Sequence, residues 1–407
     1  MTELSKPVWV WLPGAATPIR CGLFRLRAGV GAFTYDEAYR HIPGAVAIDP
    51  VSLPLTRSRR EFKEVRQGGL FGVFRDASPE GFGLALLERK AQRTLDDPMA
   101  RLELSEGDAV GAVEVCDDIA RKLAFRPPGA GELLDALAKL PPESPSSQAA
   151  RELLGDQGTS LGGERPKLTV QHEGQLWIAK LQDRGDAPHM PLREYVAMRV
   201  ARRLGLNTCD VVFRREGDRE MLLVRRFDRR IGAQGELYRQ LFASAHTALR
   251  LDTHVRGDRA RSYVALAREL QRWCGSGKTD PKPHQRELWR RMACNALIGN
   301  GDDHPRNHGL LHRDGHWELA PAFDIAPYIT FSKTLAMSVN RAGRTAATRA
   351  NLLADCESFS MDRADATEFL ARGRELMLDA WPAEVAACDV APAELPARDP
   401  AAWLDAG

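Results

Sequence analysis

Strand-like and helical segments are segregated along this chain, and that segregation limits its fold more than any other feature. Before about residue 240 the apolar residues fall in short alternating runs: VWVWL and CGLFRL near the start, then PKLTV, QLWIAKLQD and EMLLVRRFD. Alternation of this kind marks strands with one buried face. From Leu241 onward the spacing becomes helical, in RSYVALARELQRWC, RELWRRMACNALIG and RADATEFLARGRELMLDAW. Two earlier helices interrupt the strands, SPEGFGLALLERKAQ and LREYVAMRVARRLGL. The first is expected to open with Ser78 as N-cap, Pro79 at the first helical position and Glu80 in the first turn. The predicted class is α+β: a small N-terminal α+β domain over 1–124, a Pro-, Gly- and Ser-rich linker or exposed crossover over 125–147 around one short helix, a β-rich lobe over 148–235 and a helical lobe over 236–407.

A chain of 407 residues exceeds one compact core. Its 43% hydrophobic and 28% charged residues exclude a disordered chain, and its apolar runs are too short to span a membrane. The first twenty residues read as a strand and turn, not a secretory signal, so a cytoplasmic location is expected. Seven scattered cysteines without a C-x-x-C pair fit buried thiols in a reducing compartment and argue against a structural zinc. A net charge of +2 is too small for a nucleic-acid footprint. The basic stretch RREGDREMLLVRRFDRR is interspersed with Glu216, Asp218, Glu220 and Asp228, which favours a solvated hairpin over a DNA-binding strip.

A β-rich lobe followed by a helical lobe is the layout of a protein-kinase-like fold, and phosphoryl transfer makes specific demands on it. It needs an acid on the accepting hydroxyl, oxygen ligands for Mg²⁺, a lysine on the phosphates and a glycine loop over them. The segment IGNGDDHPRNHGLL concentrates polar chemistry between a helix and a hairpin-like GLLHRDGHWELA. Asp302 and Asn307 lie five residues apart, the separation of base and metal-binding asparagine in a kinase catalytic loop; Asp303 lies four from Asn307. Asp302 is therefore the expected base. Asp324 in PAFDIAP follows the hairpin, where the second Mg²⁺ ligand belongs. Two other readings of the loop stay open: a turn satisfying its own backbone, and a metal site from His304 and His308 with Asp302 or Asp303, which Pro305 disfavours by interrupting the helix such spacing needs. Upstream, Lys180 sits on a strand with Glu194 on the following helix, and Ser160, Gly162 and Gly163 precede the strand PKLTV.

These segments resemble the HipA-like serine/threonine kinases, the toxin component of bacterial toxin–antitoxin modules. SLGGERPKLTV, with Ser160, Gly163 and Lys167, resembles that family's S-x-x-G-x-x-x-K phosphate loop, and WIAKL its lysine strand. LLVRRFDRR resembles its R-F-D-R hinge, GDDHPRNHGLL its D-x-H-x-x-N catalytic loop and LAPAFDIAP its L-A-P-x-Y-D metal strand. DASPEGFGLALL and GDAVGAVEV resemble parts of the family's small N-terminal domain. The resemblance, over about residues 8–350, implies ATP and Mg²⁺ as cofactors, Asp302 as base, and Asn307 and Asp324 on the metal. It places Lys180 on the ATP phosphates with His304 beside them, and Phe227 in the adenine pocket. It also implies Ser160 as a regulatory autophosphorylation site, with adjacent Thr159 as the competing hydroxyl. The implied partners are a protein substrate, an aminoacyl-tRNA synthetase in characterised members, and a helix-turn-helix antitoxin that carries the DNA binding; neither direct nucleic-acid binding nor a membrane is expected. Arg225 stands where the family often has an acid, and Phe323 where it usually has tyrosine. A small-molecule kinase and a catalytically silent antitoxin-binding scaffold are the alternative functions.

Overall fold

The computed structural model describes residues 3–141, 144–154, 159, 161, 165–183, 185–252, 260–276, 279–327 and 332–405. The N-terminal domain is a five-stranded antiparallel sheet of β1 (Leu4–Val10), β2 (Ile19–Arg27), β3 (Val30–Tyr35), β4 (Glu61–Glu64) and β5 (Val113–Val115), ordered β4-β3-β2-β1-β5. Alternation puts Val8, Val10, Phe24 and Phe33 on one face, where the rings of Phe71 and Phe74 pack edge-on against them. Helix α1 (Gly81–Ala91) belongs to this domain. It starts later than its sequence suggests: Glu80, not Ser78, is the N-cap residue, its backbone is extended, and its carboxylate caps nothing because it is engaged elsewhere.

Helices α2 (Ala130–Lys139) and α3 (Ser146–Leu154) follow. The stretch expected to be a linker or exposed crossover is in fact packed: Ala130, Leu133 and Leu137 of α2, with Ala149, Ala150 and Leu154 of α3, cover one face of the next sheet. Leucines spaced at a helical turn give α2 an apolar stripe that the flanking prolines and glycines do not cancel. That sheet comprises β6 (Lys167–His172), β7 (Gln175–Leu181), β8 (Val211–Glu216) and β9 (Arg219–Arg225) in the order β6-β7-β9-β8, with α4 (Met190–Arg203) between β7 and β8 in sequence. Strand β9 shows why the sheet is sandwiched. Met221 and Leu223 point to α2 and α3, while Leu222 and Val224 point to the opposite core with α4.

The rest of the chain supplies β10 (Arg229–Ile231), β11 (Leu237–Arg239), β12 (Phe242–Ser244), α5 (Tyr263–Ser276), α6 (Lys282–Ile298), β13 (Gly309–Arg313), β14 (His316–Leu319) and α7 (Arg363–Ala386). The expected helix, loop and hairpin thus follow one another, the hairpin turning at Asp314 and Gly315, both at positive φ. One apolar cluster runs without a break from Val8 and Phe24 of the N-terminal sheet to Trp273, Trp289 and Leu310 of the helical lobe. The small domain therefore shares its core with the helices. No helix of the described residues is long and apolar enough to cross a membrane, and all seven thiols are unpaired, six of them buried.

A polar seam also fastens the small domain to the hinge. Arg226, buried, makes a two-pronged pair with Asp228 (2.9 and 2.7 Å) and donates to the Asp108 carbonyl (2.8 Å); Asp228 in turn accepts from the Gly111 amide (2.8 Å). Arg239 pairs with Glu114 at 2.8 Å and lies over the Trp11 ring. Three arginines of the hinge region, Arg226, Arg229 and Arg239, are thus buried against residues 107–114, not held out to solvent. Removing one partner of a buried pair strands the other charge. Arg226→Ala should lower stability by about 3–5 kcal/mol, whereas Arg225→Ala, which breaks a half-exposed pair with Asp210, should cost under about 1 kcal/mol. Urea midpoints of the two variants decide it; equal shifts would show that the seam is not stabilising.

Candidate phosphotransfer site

Lys180 of β7 is held between two carboxylates. Its Nζ lies 2.6 Å from Glu194 Oε1 on α4 and 2.6 Å from Asp324 Oδ1, beyond the β13–β14 hairpin. Burial by itself would lower the lysine's pKa, but the two carboxylates outweigh it and hold the ammonium above its ordinary value. Asp324 is kept below the carboxylate range for the complementary reason, with Lys180 and Lys167 overcoming the cost of burial, while burial leaves Glu194 raised. The segment bearing Asp324 is pinned by its backbone: Ala322 N donates to Asn207 O (2.7 Å) and Cys209 N to Ala322 O (2.9 Å), just after α4. Asp324 itself adopts φ +58, a left-handed conformation uncommon outside glycine and often found where a side chain must be aimed.

Lys167 faces Lys180 directly in the β6–β7 register, so both side chains project from the same face. Like charges directly opposite one another destabilise a sheet. Lys180 has its two carboxylates; the charged form of Lys167 is disfavoured by burial and then by Lys180. The arrangement suits an anion between the lysines.

The catalytic-loop segment starts where Gly299, at φ +76, ends α6. Asp303 is buried and accepts from Tyr263 Oη, Asn295 Nδ2 and His308 Nε2, the last at 2.9 Å. This knot fixes the loop from inside. Asp302, next to it, is only partly buried, and its carbonyl accepts from His304 N (2.7 Å) and Asn307 Nδ2 (3.2 Å). That second bond orients the Asn307 side-chain amide. A short 3-10 turn, Pro305–Asn307, completes the loop. His304 is partly exposed but its Nδ1 is buried without a hydrogen-bond partner among the described residues, while His308 points inward to Asp303. The two histidines are therefore not joint ligands, and among the described residues no three His, Cys, Asp or Glu side chains gather as a metal site.

Phe227 lies between Phe242 (5.8 Å) and Phe323 (5.5 Å), an aromatic row next to the Asp324 segment. Phe323 therefore contributes its ring where a tyrosine was expected. Ser160, Gly162 and Gly163 lie outside the described residues. Thr159 is buried and donates to Asp108 Oδ2 at 2.7 Å, so its hydroxyl is committed to the small domain. Two features were not foreseen: the Asp303 knot, and an ion pair from Arg306 to Glu80 of the small domain. The density of polar residues in GDDHPRN signalled that something is built there, but no local pattern identifies a partner 226 positions away.

The chain matches the model of the HipA-like C-terminal domain over residues 159–381 and that of the HipA N-terminal domain over residues 15–116. Among curated proteins it is similar to the serine/threonine-protein kinase toxin HipA of Shewanella oneidensis, 23% identical over 206 residues, or 46% of this chain and 48% of that protein. It is also similar to protein Y4dM of Sinorhizobium fredii, 27% identical over 198 residues, 44% of this chain and 45% of that one. The alignments span about half the length of these relatives. Among solved structures, the Shewanella oneidensis HipA, HipB and operator DNA complex contains a chain that superposes with a TM-score of 0.68 at 19% identity, covering 93% of this chain and 91% of that one, a likeness of fold. With more than half its length matched by one family model, and the small domain by another, the chain belongs to the HipA-like family.

Proposed function

We propose that the chain is an ATP- and Mg²⁺-dependent serine/threonine protein kinase of the HipA toxin type. The observation that carries this reading is Lys180 paired at once with Glu194 and Asp324, with Lys167 opposite it on the neighbouring strand. A lysine anchored by a helix-borne glutamate beside a metal-binding aspartate is what phosphate positioning requires in a kinase. The donor set fits Mg²⁺, since Asn307 and Asp324 offer hard oxygens, and the crowded lysine pair fits a polyphosphate. When bound, the metal would neutralise phosphate charge during transfer. Asp302 would orient and take the proton of the accepting hydroxyl. His304, whose buried Nδ1 has no partner among the described residues, would stand beside the phosphates, and Phe227 would border the base. The relative named as a serine/threonine-protein kinase toxin supports the same chemistry.

By the same reading the acceptor is a hydroxyl on a protein, an aminoacyl-tRNA synthetase being one candidate, and its phosphorylation would inhibit translation. A helix-turn-helix antitoxin would be the regulatory partner, as the HipA–HipB complex suggests. Ser160 would be the self-modified residue, because the hydroxyl of Thr159 is engaged by Asp108. A phosphate at Ser160 adds about −1.5 to −2 charges in the phosphate loop and would oppose ATP binding there.

Two experiments test the core of the proposal. Asp302→Asn should cut phosphate transfer from labelled ATP by about 10²–10⁴-fold with nucleotide affinity unchanged. Asp303→Asn should instead keep turnover per folded molecule and lose about 1–3 kcal/mol of stability, because an amide cannot accept all the bonds its carboxylate accepts now. Full activity in Asp302→Asn would reject the assignment. Calorimetry addresses the metal: Asp324→Ala should weaken ATP binding in Mg²⁺ by at least about tenfold and erase the difference between Mg²⁺ and chelator. Mg²⁺-independent ATP binding by the unaltered chain would contradict the site.

A further inference from the structure

We infer that Glu80 of the small N-terminal domain is a positioning residue for phosphotransfer: through Arg306 it holds the turn that carries Asp302 and Asn307. The inference rests on Asp302 as the base. Arg306 stands in the Pro305–Asn307 turn, immediately before Asn307, and its guanidinium makes a two-pronged pair with Glu80, Nη2 to Oε1 at 2.9 Å and Nη1 to Oε2. Both side chains are about three-tenths exposed, so the pair is partly shielded from water. A two-pronged guanidinium–carboxylate pair fixes orientation as well as distance. It therefore restrains the turn in a way that one contact to a flexible side chain would not.

Neighbouring contacts seat this part of the small domain beside the catalytic loop. Asp76 accepts from Ser244 N (2.7 Å), Ser244 Oγ (2.7 Å) and Thr247 Oγ1 (2.8 Å), which seats the start of the small-domain segment on β12. The next residue of that strand's exit, Ala245, donates to His308 O at 2.8 Å, at the far end of the catalytic loop. One turn into α1, Gly83 sits so close to the Thr159 and Leu161 carbonyls that a β-carbon would lie 2.8 and 2.5 Å from them. A single stretch of the small domain thus touches the catalytic loop through residue 80 and the segment leading into the phosphate loop through residue 83. Inside, the loop is held by Asp303; outside, by Glu80. Without the outer hold, Arg306 would face Arg75, which lies 3.7 Å from the same carboxylate.

The test uses the full-length chain, with casein as acceptor and ATP·Mg²⁺ as donor. Displacing a catalytic group by about 1 Å costs on the order of 10²-fold in rate. Glu80→Gln should accordingly lower kcat by about 10- to 100-fold with the KM for ATP unchanged, and hydrogen exchange should rise at residues 302–309 without a general rise. The conservative Glu80→Asp, which keeps the carboxylate facing Arg306 and Arg75, should retain much of the kcat that Glu80→Gln loses. A Glu80→Gln chain with unaltered kcat and unaltered exchange at 302–309 overturns the inference, as does a uniform loss of folding that Glu80→Asp shares. If the unaltered chain transfers no phosphate at all, the kinase reading fails by itself, and exchange at 302–309 in Glu80→Gln still decides whether Glu80 holds the loop.

Discussion

A partly buried lysine between two carboxylates is the constraint on which the arrangement of this protein turns. Lys180 cannot keep its charge away from water without partners, and the two it has come from different parts of the chain, Glu194 on α4 and Asp324 beyond the second hairpin. Satisfying both requires α4, which packs on β8 and β9, to reach Lys180 with Glu194, and requires the 322–324 segment to cross from the helical lobe to the end of α4. The backbone bonds of Ala322 with Asn207 and Cys209, and the left-handed conformation of Asp324, are the means by which the chain meets that requirement. Lys167 stands directly opposite Lys180 in the strand register, so two lysines share one face of the sheet.

The small N-terminal domain is part of this arrangement. Its sheet shares an apolar core with α5 and α6, its 107–114 segment accepts hydrogen bonds from the buried hinge arginines and pairs Glu114 with Arg239, and Asp108 holds the Thr159 hydroxyl. Each of these contacts removes a group from solvent that neither domain satisfies by itself. The arginine-rich hinge region, which in isolation suggests a polyanion partner, keeps Arg226, Arg229 and Arg239 in this seam, while Arg225 meets Asp210 at the surface.

Much of this was legible from residue patterns because the relevant physics is local. The strands and long helices of the two lobes follow from apolar periodicity, the hairpin turn from Asp314–Gly315, and the end of α6 from Gly299. Where local signals compete, the pattern misled. Ser78-Pro79-Glu80 resembles a helix start, but Glu80 is drawn to Arg306 and the helix begins one residue beyond it. The Pro- and Gly-rich stretch around α2 resembles a linker, yet its leucines close a face of the central sheet. Propensity is outweighed in both places by a partner distant in sequence.

Sequence by itself determined the order of the lobes, the lysine strand, and the loop in which two adjacent aspartates stand five and four residues before an asparagine. The five-residue spacing already favoured Asp302, and the tertiary structure supplied the physical difference between the two aspartates. Asp303 is drawn inward by Tyr263, Asn295 and His308, donors from α5, α6 and the loop's far end, and Asp302 is left nearer the surface. The physical reason is that spacing fixes which residues share a turn, whereas burial and hydrogen-bond partners, which set what each carboxylate can do, come from segments that meet only when the chain is folded.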